Sequence, residues 1–304
     1  MTVPPRTSGV RFDDRVKAMV MHATARWTVR YGEDLRFAGN ELPAPRVVRV
    51  PTRHGPVPVH VHRTGDSRDP APAHVHFHGG AWLMRYPAMD DWWCRYLTAT
   101  TGVVVLNVDF RTGPYVTFPV AQEQCHDVAA WAAAGGGDLR LDGERITVGG
   151  FSSGGGLAAS VCLQARDAGS FRPALQVLGV PALDMAGDLP EHSTGMISTD
   201  LRRLVRRVYF PDVATRSHPY ASPVLAEDLS GLPPALVLTG ERDALRHDGE
   251  RYAARLREAG VPVTLDETPN VDHYFLTEDP RRARRTMAMV ADALLLATER
   301  PERP

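Results

Sequence analysis

The sequence predicts an α/β fold: a mostly parallel sheet of eight strands with helices on both faces. Three observations carry that expectation. Short β-branched runs alternate with helical patterns through most of the 304 residues. One strand-to-helix junction reads Gly150-Phe151-Ser152-Ser153-Gly154. Two segments, 1–45 and 184–219, interrupt the rhythm, leaving 46–183 and 220–304 as one core.

The strands are expected at 46–50, 57–63, 73–77, 103–108, 145–149, 174–180, 234–239 and 261–267, the first two forming an antiparallel edge. Helices are expected near 91–100, 121–133, 153–168, 247–259 and 280–298. In the fourth, Asp248 is a plausible N-cap, Tyr252 and Leu256 lie on an apolar face, and Gly260 supplies the stop. In the last, Met287, Val290, Ala291 and Leu294 recur at helical spacing and should face inward. The stretch from Asp13 to Arg30 reads as an amphipathic helix, with Val16, Met19, Val20 and Ala23 at helical spacing. Asp200 to Tyr209 reads the same way, with Leu201, Leu204, Val205 and Val208 on one side and Arg202, Arg203, Arg206 and Arg207 as a basic flank. No repeat or low-complexity linker divides the chain, and its length suits a single large core.

A formal net charge of −1 gives no field favouring nucleic acid or an anionic membrane. The three cysteines, Cys94, Cys125 and Cys162, have no metal-site or C-x-x-C spacing and read as buried thiols. The first thirty residues lack a basic-then-apolar signal pattern, and no run of about eighteen apolar residues occurs. A cytoplasmic protein is the expectation. A homodimer is left open.

The run at 150–154 has the form G-x-S-x-G, preceded by Ile146-Thr147-Val148 and followed by an Ala-rich helical pattern. Strand, sharp turn and helix make such a run a nucleophile elbow, with the serine strained and the flanking glycines permitting close approach. Upstream, the strand Ala73–Phe77 runs into His78-Gly79-Gly80-Ala81-Trp82, whose bare backbone N–H groups can point into a site. An ordinary strand-to-loop turn is the plainer alternative there. Downstream, the apolar strand ending at Gly240 leads to Asp243, and the last strand leads to Asp272-His273-Tyr274. A carboxylate beyond a buried strand is well placed to orient a histidine. The chain order is therefore Ser152, Asp243, His273.

These motifs together resemble the hormone-sensitive-lipase-like (family IV) carboxylesterases of the α/β-hydrolase fold, over roughly Val75 to Phe275. The likeness extends to Val108-Asp109-Phe110-Arg111, Phe118-Pro119, Leu232-Pro233-Pro234 and Asp243-Ala244-Leu245-Arg246-His247-Asp248-Gly249. It implies Ser152 as nucleophile, His273 as general base and Asp243 as its orienter. It implies an oxyanion hole from the N–H groups of Gly80, Ala81 and Ser153, with Gly79 shaping the loop. It also implies that segments 1–45 and 184–219 pack together as a helical cap over the active site. Trp82, Phe151, Leu204, Val208 and Tyr274 are then the expected substrate-binding side chains. Three departures from the family pattern bear on selectivity: Phe151 replaces an acidic residue, Ala81 a third glycine, and Tyr274 a glycine after the base.

The reading is a serine hydrolase of short- to medium-chain carboxylic esters, with a small-molecule ester as its partner and no cofactor or metal. Amidase, formamidase or lyase-type chemistry on a natural product could use the same constellation. A non-catalytic binding homologue and a metal hydrolase built on His74, His76 and His78 are the remaining alternatives. The cap arginines are expected to be a solvated face, with recognition of a substrate carboxylate as the alternative.

Overall fold

The computed structural model describes residues 10–29, 32–65, 69–193 and 195–299. The β-branched runs form eight strands: β1 (Arg46–Val50), β2 (Val57–His62), β3 (Ala71–Phe77), β4 (Val104–Val108), β5 (Leu141–Phe151), β6 (Gln176–Gly179), β7 (Ala235–Gly240) and β8 (Val263–Thr268). They make one sheet in the order β1-β2-β4-β3-β5-β6-β7-β8. The pairs β1–β2 and β2–β4 are antiparallel and all others parallel, as the sequence predicts. β5 begins earlier than expected, because Leu141 pairs with Ala71 ahead of a register shift.

The helices are α1 (Phe12–Thr28), α2 (Asp91–Thr101), α3 (Val120–Ala133), α4 (Ser153–Ala168), α5 (Thr199–Val208), α6 (Arg246–Glu258), α7 (Phe275–Glu278) and α8 (Pro280–Thr298). Successive side chains of a strand point to opposite faces, and the core divides accordingly. Val104, Leu106, Val108 and Val237 pack with α3, α4 and α6, whereas Val105, Leu236 and Leu238 pack with α2 and α8. Met287, Val290, Ala291 and Leu294 of α8 are buried in the second layer. The strand order reverses around β3 and β5, and at such a switch point the strand ends leave a crevice for ligands.

The helix α1 forms, but with a different face inward. Asp14, Ala18 and Ala25 are buried, while Val16, Met19 and Val20 are 41%, 42% and 55% exposed and Ala23 also faces out. Docking here is polar and close. Asp14 accepts two hydrogen bonds from Arg207 of α5, at 2.6 and 2.9 Å, which hold its carboxyl below the usual range. His22 lies 3.2 Å from the Leu83 carbonyl and 3.3 Å from Thr112 Oγ1. Helical spacing identifies an apolar stripe but not the face that meets the protein. Residues 1–9, 30, 31 and 194 of the two interrupting segments lie outside the described residues. Among the described residues no helix is long and apolar enough to cross a membrane.

Several histidines are buried at the sheet. Burial is the main cause lowering His62 to about 4, His74 to about 3 and His78 to about 4. A base held neutral when folded takes up a proton on unfolding below about pH 6.5, so stability falls as the pH drops from there. Asp248, which burial raises to about 6, acts in the opposite sense between its ordinary value and that pH. The histidines outweigh it by a net uptake of about two protons near pH 5, each worth about 1.4 kcal/mol per pH unit. The urea midpoint should therefore fall between pH 7 and pH 5. His62→Gln should flatten that fall; an unchanged or rising midpoint in the parent protein contradicts the account.

Candidate active site

The turn after β5 is built by absence of side chains. A Cβ on Gly150 or on Gly154 would overlap the Phe77 carbonyl oxygen, because β3, β5 and the start of α4 meet there. Between those glycines Ser152 adopts φ 55°, ψ −119°, a conformation that costs an L-residue on the order of 1–3 kcal/mol. Its backbone is clamped: N–H to the Gly179 carbonyl at 2.8 Å, and C=O to the N–H groups of Gly156 and Ala182, both at 3.1 Å. The following residue, Ser153, starts α4, so its N–H has no intrahelical acceptor and sits at the positive end of the helix dipole.

The loop after β3 also turns through left-handed backbone, with φ of 107° at Gly80, 57° at Ala81 and 53° at Trp82. The Gly80 carbonyl closes it by accepting from Leu83 and Met84, each at 2.9 Å. Glycine would adopt the Ala81 conformation at less cost, by about 1 kcal/mol. Among the described residues no protein acceptor takes the N–H groups of Gly80, Ala81 or Ser153.

Asp243 follows β7 and His273 precedes α7. The His273 Nδ1 lies 2.9 Å from Asp243 Oδ2, with both side chains wholly buried. The other oxygen, Oδ1, accepts from the Leu245 N–H at 3.0 Å. The His273 Nε2 is buried without a partner. The loop is pinned by Asp272, whose carboxylate accepts from the N–H groups of His273 at 2.7 Å and Met196 at 2.9 Å. Ser152 makes no side-chain hydrogen bond among the described residues.

Ser152 and His273 share a cavity of about 460 Å³ empty volume, walled by Gly79, Met89, Trp92, Phe151 and Tyr274. Phe151 packs edge-on against Trp93 at 4.9 Å and His76 at 5.9 Å, and Gly179 leaves space for its ring. A second cavity, of about 410 Å³, reaches Ser152 from the α5 side, past Ala81, Trp82, Leu201, Arg202, Val205 and Arg206. Trp82 is stacked on Tyr209 and edge-on to Phe210.

Two expected substrate contacts are corrected here. Leu204 and Val208 turn into the core and line neither cavity. Leu201 and Val205, on the adjacent face of α5, line it instead. The arginine flank divides likewise: Arg203 and Arg207 pair outward with Asp200 and Asp14, while Arg202 and Arg206 turn toward Ser152. Met89 and Trp92 were not singled out from sequence; the Trp92-Trp93 pair at a helix start was the available signal. The alternating histidines each have a separate partner: Thr147 Oγ1 for His74 (2.9 Å), Asp90 for His76 (2.8 Å) and the Gly79 carbonyl for His78 (2.7 Å). Among the described residues no group of three or more His, Cys, Asp or Glu side chains is arranged to hold a metal.

Residues 74–277 match a family described as alpha/beta hydrolase fold. An arylesterase of Saccharolobus solfataricus is 36% identical over 223 residues, 72% of each chain. A carboxylic ester hydrolase of Mycobacterium tuberculosis, LipN, is 31% identical over 282 residues, 88% of this chain and 72% of its own. The solved esterase of Pyrobaculum calidifontis superposes with a TM-score of 0.79 at 32% identity, covering 98% of this chain and 96% of the other. With the sheet order and the elbow already established, these likenesses make the chain a carboxylesterase-type hydrolase of the hormone-sensitive-lipase-like family within the α/β-hydrolase fold.

Proposed function

We propose that this hydrolase cleaves short- to medium-chain carboxylic esters through an acyl-enzyme, with Ser152 as nucleophile, His273 as general base and Asp243 as its orienter. The observation that carries the reading is the buried His273–Asp243 contact at 2.9 Å, which leaves Nε2 partnerless in the cavity it shares with Ser152. An Nδ1 proton directed at the carboxylate fixes the tautomer in which Nε2 carries the lone pair. Contacts of this kind often tighten only when substrate is bound, so the missing Ser152–His273 hydrogen bond suits a resting enzyme.

In the reaction, Ser152 Oγ attacks the ester carbonyl carbon and gives its proton to His273 Nε2. Negative charge develops on the carbonyl oxygen and is met by the N–H groups of Gly80, Ala81 and Ser153, with the α4 dipole behind them. Collapse breaks the bond to the alcohol oxygen, which receives the proton from His273. Water then attacks the acyl carbon and gives a proton to His273; collapse breaks the bond to Ser152 Oγ, which takes that proton back, and the acid leaves. Segments 1–45 and 184–219 act as a cap on the core of 46–183 and 220–304, a reading supported by the α1–α5 packing and by α5 side chains along the second cavity. Phe151, Trp92 and Met89 narrow the first cavity to a small apolar chamber. Acyl groups of roughly two to eight carbons suit it, since each fitted methylene gains about 0.8 kcal/mol and each excess one strains the wall.

Ser152→Ala should lower kcat by about 10⁴–10⁶ on a nitrophenyl ester, because only binding and the oxyanion donors remain. More than a few per cent residual activity refutes the assignment. Asp243→Asn should cost about 10⁴ in kcat through the wrong tautomer; if Glu241→Gln or Asp248→Asn is the more damaging, the acid is misassigned. A chain-length series should peak between about two and eight carbons and shift to longer acyl groups in Phe151→Ala. An unchanged optimum in that variant removes Phe151 from the acyl site.

A further inference from the structure

The cavity on the α5 side is lined by two guanidiniums, Arg202 and Arg206, and one carboxylate, Asp184, with no ion pair between them among the described residues. The guanidinium of Arg202, half-buried, has no hydrogen bond or ion pair among the described residues, and Asp248 acts on it only through space. Arg206 makes one bond, from Nη2 to the Gly187 carbonyl at 2.6 Å. Arg216, behind it, donates only to carbonyls, those of Phe210 at 2.9 Å and Arg206 at 3.0 Å. The two nearby carboxylates are committed elsewhere. Asp184 accepts from Ala186, Gly187 and Arg251, at 3.0, 2.7 and 2.9 Å. Asp248 accepts from the N–H groups of Leu183 and Asp184, at 2.9 and 3.0 Å.

Burial first, and then the neighbouring charges of Arg202 and Arg216, hold the Arg206 guanidinium below its ordinary range. Asp184 and Asp248 oppose this shift without a direct ion pair, and the cluster of guanidiniums keeps an excess of positive charge that a further anion would balance. The surrounding wall is otherwise largely apolar, with Leu201, Val205 and Trp82, and Trp82 Nε1 is a further buried donor without an acceptor. A cavity meant for a plain hydrocarbon arm would not need these donors. The planar fork of an arginine matches a carboxylate in particular.

We infer that the preferred substrates are esters bearing a carboxylate on the arm that lies beneath α5, where Arg202 and Arg206 receive it. The inference rests on the assignment of Ser152 as nucleophile and adds the substrate class. The reacting ester stays that of the general reaction; the second carboxylate is untouched and serves as the handle.

Isosteric pairs test this, with the charge placed on either side of the ester: 6-acetoxyhexanoate against hexyl acetate, and monoethyl adipate against ethyl hexanoate. In the first pair, whose charge lies on the alcohol arm away from the Phe151 chamber, the anionic member should have the higher kcat/KM, by about tenfold, mainly through KM, and a preference in the second pair alone overturns the inference. That preference should shrink with added salt. It should fall to near unity in Arg202→Met and decline in Arg206→Gln. Arg203→Met, an outward arginine of the same helix, should keep the parent ratio. Because the readout is a ratio of two substrates on one protein, partial loss of folded enzyme does not change it. Equal or better use of the neutral esters in both pairs overturns the inference, as does a preference that survives Arg202→Met. If neutral esters are not cleaved, or are cleaved equally by Ser152→Ala, it is the nucleophile assignment that has failed.

Discussion

The constraint on which the site depends is the contact between the Phe77 carbonyl and the backbone of the turn after β5. Positions 150 and 154 lie so close to that oxygen that neither can carry a side chain. The contact brings the end of β3, the end of β5 and the first turn of α4 to one point. It thereby brings the loop at Gly79 alongside Phe151 and Ser152, although some seventy residues separate them. Ser152 occupies the apex in a conformation that only a rigid surround can hold, with its own N–H and C=O tied to Gly179, Gly156 and Ala182. The strain is local, and the sheet on either side carries it.

Around that apex the protein keeps its polar groups scarce and assigned. Asp243 and His273 are wholly buried, each held by backbone hydrogen bonds as well as by the other. In such a low-dielectric setting the His273 imidazole faces one carboxylate at fixed distance, with little solvent to reorganise. The two cavities that meet at Ser152 are unlike. One is closed by aromatic rings and Met89, and the other carries two guanidiniums. An ester bridging the serine therefore meets different surroundings at its two ends.

The sheet and the places of Ser152, Asp243 and His273 on it were legible because both are written locally. Alternating β-branched runs announce strands, and the glycines at 150 and 154 announce a turn that needs them. Asp243 and His273 follow strands at their C-terminal ends, which the sheet then gathers on one edge. What was not legible depends on how whole helices are rotated about their axes. The stripe of Val16, Met19 and Val20 has good helical spacing, yet α1 docks through Asp14, Ala18 and Ala25. On α5, Leu204 and Leu201 are indistinguishable by type and only their direction separates core from cavity. The same rotation turns Arg202 and Arg206 inward and Arg203 and Arg207 outward, a division that composition does not contain. Trp92 lines the cavity from a helix whose other role is packing, and no short motif marks it.

The bond between Asp14 and Arg207 joins residues 193 positions apart. During synthesis α1 emerges well before its partner helix, which follows only after six of the eight strands. A single 17-residue helix has little stability of its own, so α1 must wait, with Asp14 unpaired, while the sheet assembles. A helix made well before its partner is thus among the last to find its place. The wall above Ser152 is completed only after the sheet beneath it has begun to form.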